Sequence, residues 1–147
     1  MTKIQRSLTM PATSDAIWAV LGRYMHIDDF APEVSSVEAL THGENGVGSK
    51  RRCVFKNGSS LVEEVTAWTP GKGYRVRASE FGTMPLHHMN AELEVIPMGA
   101  QGARVVWSVD YRVKYGPLGW LLGQTMMKGM MGKVLDGNLK GLADQVQ

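Results

Sequence analysis

The sequence predicts an α+β fold in which an antiparallel sheet of about seven strands packs against one long C-terminal helix. Two observations lead to this prediction. The middle of the chain alternates apolar and polar residues in short runs separated by turn residues, a pattern typical of strands with one buried face. Residues 116–147 repeat their apolar side chains with a helical period, and no other stretch does so over such a length. Because a sheet with one dry face needs a cover, we expect this helix to provide it.

The composition of the 147 residues argues against several classes of protein. Lys and Arg number 16 against 14 Asp and Glu, and the net charge of +2 is too small to indicate nucleic-acid binding. The single cysteine, Cys53, has no partner for an internal disulfide, so a reducing, cytoplasmic setting is expected. The most apolar window, residues 118–131, is too short to span a bilayer. Since no repeat or linker interrupts the chain, we expect one domain over residues 1–147.

The N-terminal part predicts one strand followed by two short helices. Residues 3–10 alternate, with Ile4, Leu8 and Met10 on one face. Thr13 or Ser14 can then cap a first helix. Residues 24–34 form a second short helical or looped piece.

Six further strands follow these helices. They are predicted over residues 37–41, 49–56, 59–68, 74–80, 86–96 and 103–115. Their alternation gives an inner face that includes Tyr74, Val76, Ala78, Met89, Ala91, Leu93, Val95, Val105, Trp107, Val109, Tyr111 and Val113. The same alternation, continued back from Met89, places His87 inward and His88 outward.

The hairpin around Asn57-Gly58 has two candidate registers. A two-residue turn sets Cys53 opposite Val62, whereas a three-residue loop with Gly58 at positive φ sets Cys53 opposite Leu61. The second register separates apolar from polar side chains better, and we adopt it. It makes Arg51 and Glu63 cross-strand neighbours on the inner face, where two opposite charges need each other or a ligand.

The C-terminal helix is amphipathic but rich in glycine and methionine. Its apolar side is predicted to comprise Trp120, Met127, Met131, Val134, Leu135, Leu142 and Val146, and Asn138 lies near the middle of that side. Each glycine inside a helix costs up to about 1 kcal/mol relative to alanine. We expect the glycines to leave space under the helix for a cavity.

Several local signatures follow one another along the chain: Ala16-Ile17-Trp18-Ala19-Val20-Leu21, Phe30-Ala31-Pro32-Glu33-Val34, Gly46-Val47-Gly48-Ser49 leading into Arg51, Glu63, Val105-Val106-Trp107 and Gly116-Pro117-Leu118. In this order they resemble the START/Bet v 1-like superfamily and its polyketide cyclase/dehydrase and lipid-transport branch. The resemblance implies a helix-grip fold, in which a curved sheet wraps the C-terminal helix around a hydrophobic cavity. Plant abscisic-acid receptors are distant members, and Glu63 and Asn138 are similar to two of their cavity positions. Ala31 stands where those receptors have the lysine that holds the hormone, so hormone binding is not implied.

The candidate ligand-binding residues combine the inner face with the polar groups that the resemblance indicates. They are Arg51, Glu63, His87, Met89, Trp107, Tyr111, Met127, Met131 and Asn138. Glu63 and His87 are also candidate catalytic acids or bases. Alternatively, Glu63 and Arg51 form only a structural ion pair, and His87 is a loop histidine at the rim of the pocket. No metal site and no cofactor are predicted, because the four histidines and Cys53 show no ligand spacing.

Three functions are compatible with these features. The first is a binding or carrier protein for a small hydrophobic molecule such as a lipid, an aromatic or a polyketide-like compound. The second is a cyclase-, aromatase- or dehydratase-type enzyme that uses Glu63 or His87. The third is a module that binds a membrane, a partner or a second copy through Leu118, Leu122 and Met126, unless neighbouring loops cover those side chains.

Overall fold

The computed structural model describes residues 2–43, 45–114 and 116–146, except for the side chains of 122–124. Seven strands form one antiparallel sheet in the order β1-β7-β6-β5-β4-β3-β2. The strands are β1 (Thr2–Met10), β2 (Val34–Ala39), β3 (Lys50–Phe55), β4 (Ser60–Thr69), β5 (Gly73–Ser79), β6 (Leu86–Pro97) and β7 (Ala103–Val113). The long C-terminal helix packs on this sheet, and short helices follow the first strand, so the predicted helix-grip fold is confirmed.

Apart from one 3-10 turn between β6 and β7, Gly99–Gln101, the helices lie towards the two ends of the chain. Helix α1 (Ser14–Leu21) begins at Thr13, whose hydroxyl accepts a hydrogen bond from the Ala16 amide at 3.1 Å. A 3-10 helix, Tyr24–Asp29, comes next. The C-terminal helix consists of α2 (Gly116–Leu122), a π-helical turn (Gly123–Met127) and α3 (Lys128–Val146).

The hairpin between β3 and β4 has the predicted three-residue loop. Cys53 pairs with Leu61 and Arg51 with Glu63, and Gly58 has a φ of 88°. The positive φ is available to glycine without a steric penalty, which explains why the loop closes there. This register therefore fixes the neighbours of the buried charges.

One row of cross-strand neighbours crosses six strands on the inner face. In order from β3 to β1 it contains Arg51, Glu63, Ala78, Met89, Tyr111 and Thr2. All of these residues are buried except Glu63, which is mostly buried. The row is polar at the β3–β4 end, apolar in the middle, and ends in the hydroxyl-bearing Tyr111 and Thr2.

The glycines of the C-terminal helix do not have the predicted role. A Cβ on Gly141 would overlap the Phe30 carbonyl oxygen, and one on Gly119 would overlap that of Lys114. A Cβ on Gly132 would meet the Arg6 guanidinium at 2.6 Å. These glycines let the helix approach neighbouring chain closely, so the expectation that they open a cavity is wrong at these three positions.

Two apolar residues that were predicted to lie on the inner face are exposed. Leu8 is 38% exposed on the edge strand β1, and Trp120 is 58% exposed on α2. Leu8 pairs with the buried Val105. Because β1 is an edge strand, no neighbouring strand covers Leu8 on its other side. Trp120 precedes the π-helical turn, which shifts the helical phase that the prediction assumed to be constant.

Candidate functional site

Arg51 and Glu63 form a buried ion pair, as the hairpin register predicted. The Arg51 Nε and Nη2 atoms donate to the same Glu63 oxygen at 3.0 and 2.8 Å, and Nη1 donates to the Tyr24 carbonyl oxygen. Arg51 is 1% exposed. Because a guanidinium in such a place needs most of its donors satisfied, these three bonds, two of which pair it with Glu63, explain how the interior holds the charge.

An aromatic cluster encloses the ion pair. The Arg51 guanidinium carbon lies 3.8 Å from the centre of the Tyr24 ring, a cation–π contact. Tyr24 packs edge-on against Tyr74 with 5.7 Å between ring centres, and Trp68 stacks on Tyr74 at 5.1 Å. The Tyr24 hydroxyl donates to the Glu63 backbone carbonyl at 3.0 Å. Tyr24 thus belongs to this site although the sequence placed it only in a short helical or looped piece.

Burial governs the proton affinities of the groups around Arg51. Burial and the neighbouring Glu63 carboxylate raise the pKa of the Cys53 thiol, which donates to Glu63 Oε1 at 3.4 Å. Burial raises the pKa of Tyr74 to about 12. Burial alone would lower the pKa of Arg51, but its attraction to Glu63 contributes to a net rise. Cys53 is therefore a protonated, inert thiol and Arg51 a permanent cation.

A cleft opens at the other end of the buried row, between the sheet and α2. It has a volume of about 560 Å³. Its lining consists of Thr2, His87, Tyr111, Arg112, Val113, Lys114, Gly116, Gly119 and Trp120. Burial raises the pKa of the Tyr111 phenol, so this hydroxyl stays neutral. The cleft therefore combines apolar residues and two cations with the hydroxyl groups of Thr2 and Tyr111.

His87 does not point inward as predicted. It is exposed at the rim of this cleft, because a register shift between Leu86 and His88 interrupts the alternation of β6 and leaves Leu86 buried. His88, predicted to face outward, is half-buried and lies 2.9 Å from the Asn90 amide nitrogen. The prediction that His87 points inward is wrong, whereas the alternative, a histidine at the rim of the pocket, agrees with the structure.

Asn138 is buried on the apolar side of α3, where the helical period put it. Its side-chain oxygen has no hydrogen-bond partner among the described residues. Leu135, Leu139 and Leu142 are buried around it in the helix, and Met127 and Met131 are half-buried on the same side. An amide oxygen without a partner in such surroundings costs about 1–3 kcal/mol, so Asn138 is a candidate ligand contact.

Apart from His87, the predicted site residues on the sheet fall into three groups. Arg51 and Glu63 meet directly, Met89 and Tyr111 share their row, and Trp107 lies in another inner-face row and packs against Phe30 with 6.4 Å between ring centres. Glu63 and Tyr111 are three strand spacings apart, about 14 Å. His87 lines the cleft together with Tyr111, so Glu63 and His87 do not converge on one reacting atom.

One group of potential metal ligands occurs in the part of the chain described. The ligand atoms of His26, Asp28 and Asp29 lie within 4.8 Å of one another. Asp29 already pairs with Arg23 at 3.3 Å, and both carboxylates are exposed. Their spacing in sequence follows no standard motif, which is why the sequence did not indicate them.

Comparison with known families decides the kinship of the chain. The model of a family described as polyketide cyclase / dehydrase and lipid transport matches residues 1–147. The chain belongs to this family. A search of curated protein sequences finds no match. The family description covers both enzymes and lipid carriers, so membership by itself does not choose between them.

Several solved structures have the same fold as this chain. The Zhui aromatase/cyclase from Streptomyces sp. R1128 is 15% identical, with 99% of this chain and 93% of that chain covered and a TM-score of 0.81. The protein TTHA0849 from Thermus thermophilus is 20% identical, covering 99% and 97%, with a TM-score of 0.81. Ara h 8.0201 is 16% identical over 99% and 97%, with a TM-score of 0.71. At such identities these similarities establish the fold alone.

Proposed function

We propose that this protein binds one small hydrophobic molecule between the inner face of the sheet and the C-terminal helix, as a carrier or binding protein. The observation that carries the proposal is Asn138, an amide oxygen that is buried among leucines and accepts no hydrogen bond from the described residues. A ligand with an apolar body and one hydroxyl or N–H donor would satisfy it. The cleft beside Tyr111 and Trp120 is the proposed entrance.

The electrostatics of the interior favour a neutral ligand. Arg51 is already bound by Glu63 and the Tyr24 carbonyl, so it is not a free partner for a carboxylate. The Tyr111 phenol stays neutral because burial raises its pKa. Bringing a further charge into this interior would cost free energy that no described group is placed to offset.

The ligand's hydrogen bond can be tested with two probes that differ by one hydroxyl group, 2-naphthol and naphthalene. We expect the wild type to prefer 2-naphthol, and Asn138→Leu to reduce that preference by about five-fold, the equivalent of one hydrogen bond. Equilibrium dialysis measures both dissociation constants. The control variant Lys140→Leu introduces a leucine on the exposed side of α3 and should leave the preference for 2-naphthol unchanged. An unchanged ratio in Asn138→Leu would exclude Asn138 as the polar contact.

The alternative is a cyclase-, aromatase- or dehydratase-type enzyme with Glu63 or His87 as the acid or base. Glu63 accepts hydrogen bonds from Arg51 and Cys53, and His87 is exposed at the rim, so neither arrangement favours catalysis over binding. Elimination of water from a β-hydroxy ketone by the wild type, with loss of turnover in His87→Gln or Glu63→Gln and retained binding, would establish the enzyme instead.

A further inference from the structure

The start of the C-terminal helix presents a cluster of exposed apolar side chains. Eight large apolar side chains are exposed in the part of the chain that the structure describes, and five of them lie within residues 118–130: Leu118, Trp120, Leu121, Met126 and Met130. Leu118 is 64% exposed and Met126 73%. The side chain of Leu122, which the sequence grouped with Leu118 and Met126, lies outside the described residues. Single exposed apolar residues are ordinary, but a cluster indicates an interaction surface.

The π-helical turn aligns four of these five side chains, all except Trp120, along one side of the helix. In an uninterrupted α-helix, Leu118 and Met130 would be separated by roughly 120° around the axis. One π-helical turn accommodates one additional residue and reduces the separation to roughly 20°. By the same count Leu121, Met126 and Lys133 fall on the side of Leu118. The turn therefore converts scattered apolar residues into a continuous exposed face.

The charges of this region are all positive. Residues 111–135 contain Arg112, Lys114, Lys128 and Lys133 and no Asp or Glu. The whole chain nets +2, so the remainder nets −2 and the positive charge is concentrated here. All four of these side chains are exposed.

We propose that this basic apolar face, formed by α2, the π-helical turn and the start of α3, docks on the surface of a bilayer that contains anionic phospholipid. The side chains of Leu118, Leu121, Met126 and Met130 would enter the headgroup boundary, and Arg112, Lys114 and Lys133 would meet lipid phosphates and carboxylates. A second copy fits this face less well, because a two-fold contact would bring the same cations of each copy together. Lys114 also lines the cleft, so docking brings that part of the cleft mouth towards the lipid surface.

The apolar part of the face is tested by sedimentation with vesicles. Wild-type protein should bind vesicles of phosphatidylcholine with 30% phosphatidylserine at least ~10-fold more strongly than pure phosphatidylcholine, and 0.5 M salt should remove that difference. Leu118→Ser with Met126→Ser should weaken binding at least ~10-fold. Leu40→Ser with Val47→Ser, which changes two exposed apolar residues elsewhere, should not. Thermal unfolding confirms that both double variants remain folded.

The basic part is tested by two charge reversals that change the net charge of the chain by the same amount. Each basic residue near an anionic surface contributes about five-fold to binding, so Lys114→Glu with Lys133→Glu should weaken it at least ~25-fold. Lys56→Glu with Lys72→Glu alters the net charge of the chain equally but lies outside the segment, and it should lower binding far less.

Three results would overturn the proposal. One is equal binding to neutral and anionic vesicles, and another is equal weakening by the two charge reversals. The third is absence of vesicle binding, for a wild-type protein that sediments either as a monomer or as a dimer. A dimer that Leu118→Ser with Met126→Ser dissociates would assign the face to a second copy. The vesicles carry no interior ligand, so any of these results leaves the proposed function untouched.

Discussion

The burial of the Arg51 side chain depends on its contacts with Glu63 and Tyr24. Its guanidinium is buried and is held by Glu63, by the Tyr24 carbonyl and by the Tyr24 ring. A buried charge that loses its partner is far more costly than a surface charge, because neither water nor a counter-ion replaces the missing contact. Glu63 is therefore first of all the residue that allows Arg51 to be buried.

This gives a stability prediction. Glu63→Gln should lower the free energy of unfolding by about 3–5 kcal/mol, since it leaves the buried Arg51 without a counter-charge. Glu92→Gln removes the exposed partner of Arg75, 3.2 Å away, and should cost at most about 1 kcal/mol. Urea denaturation measures both. Equal small losses in the two variants would contradict the structural role of Glu63 and leave its carboxylate free for a ligand.

The sequence was sufficient to predict the pairing of Arg51 with Glu63 but not the surroundings of the pair. A three-residue loop ending in Gly58 determines which residues of β3 and β4 face each other, so the pair follows from local turn chemistry. Tyr24 reaches the pair from a segment 27 residues away, and no local pattern specifies such a contact. His87 was placed wrongly because a bulge in β6 leaves no mark in the alternation that precedes it.

Among the elements, the C-terminal helix depends on glycines for contact with its neighbours. The backbone of Phe30 lies directly against Gly141, whereas no atom lies within 4 Å of a Cβ placed on Gly129. The helical period predicted which side of α3 is buried, as Leu135, Asn138 and Leu142 show. It did not predict that glycine is needed at Gly141, where the backbone of Phe30 comes too close to the helix for a Cβ atom.

Alanine substitutions at these two glycines should act in opposite directions. Gly141→Ala should destabilise the protein by about 1–3 kcal/mol, because either the helix or Phe30 must move. Gly129→Ala should stabilise it by up to about 1 kcal/mol through helix propensity alone. Thermal unfolding of the two variants beside the wild type measures both changes. Stabilisation by both substitutions would mean that α3 does not rest on the Phe30 backbone.

At the scale of the whole molecule, the two ends of the buried row differ in their surroundings. The β3–β4 end is closed by the ion pair and the aromatic cluster, while the β7–β1 end meets the cleft and the basic apolar face. The order of elements and the sheet's dry face were predictable from sequence, because each strand alternates. The cleft was not, because it depends on where α2 leaves β7. Among the described residues, no helix combines the length and apolarity that crossing a membrane requires.

Our proposal is that a small hydrophobic molecule binds in the interior between the sheet and α3. Native mass spectrometry of protein purified from its own host tests this central claim most directly. We expect a population heavier than the chain by the mass of one small molecule, which denaturation releases. Met131→Trp, which fills the half-buried inner side of α3, should abolish this population, and Met130→Trp on the exposed side should retain it. A wild-type spectrum with only the mass of the polypeptide, or equal retention by both variants, would contradict the claim.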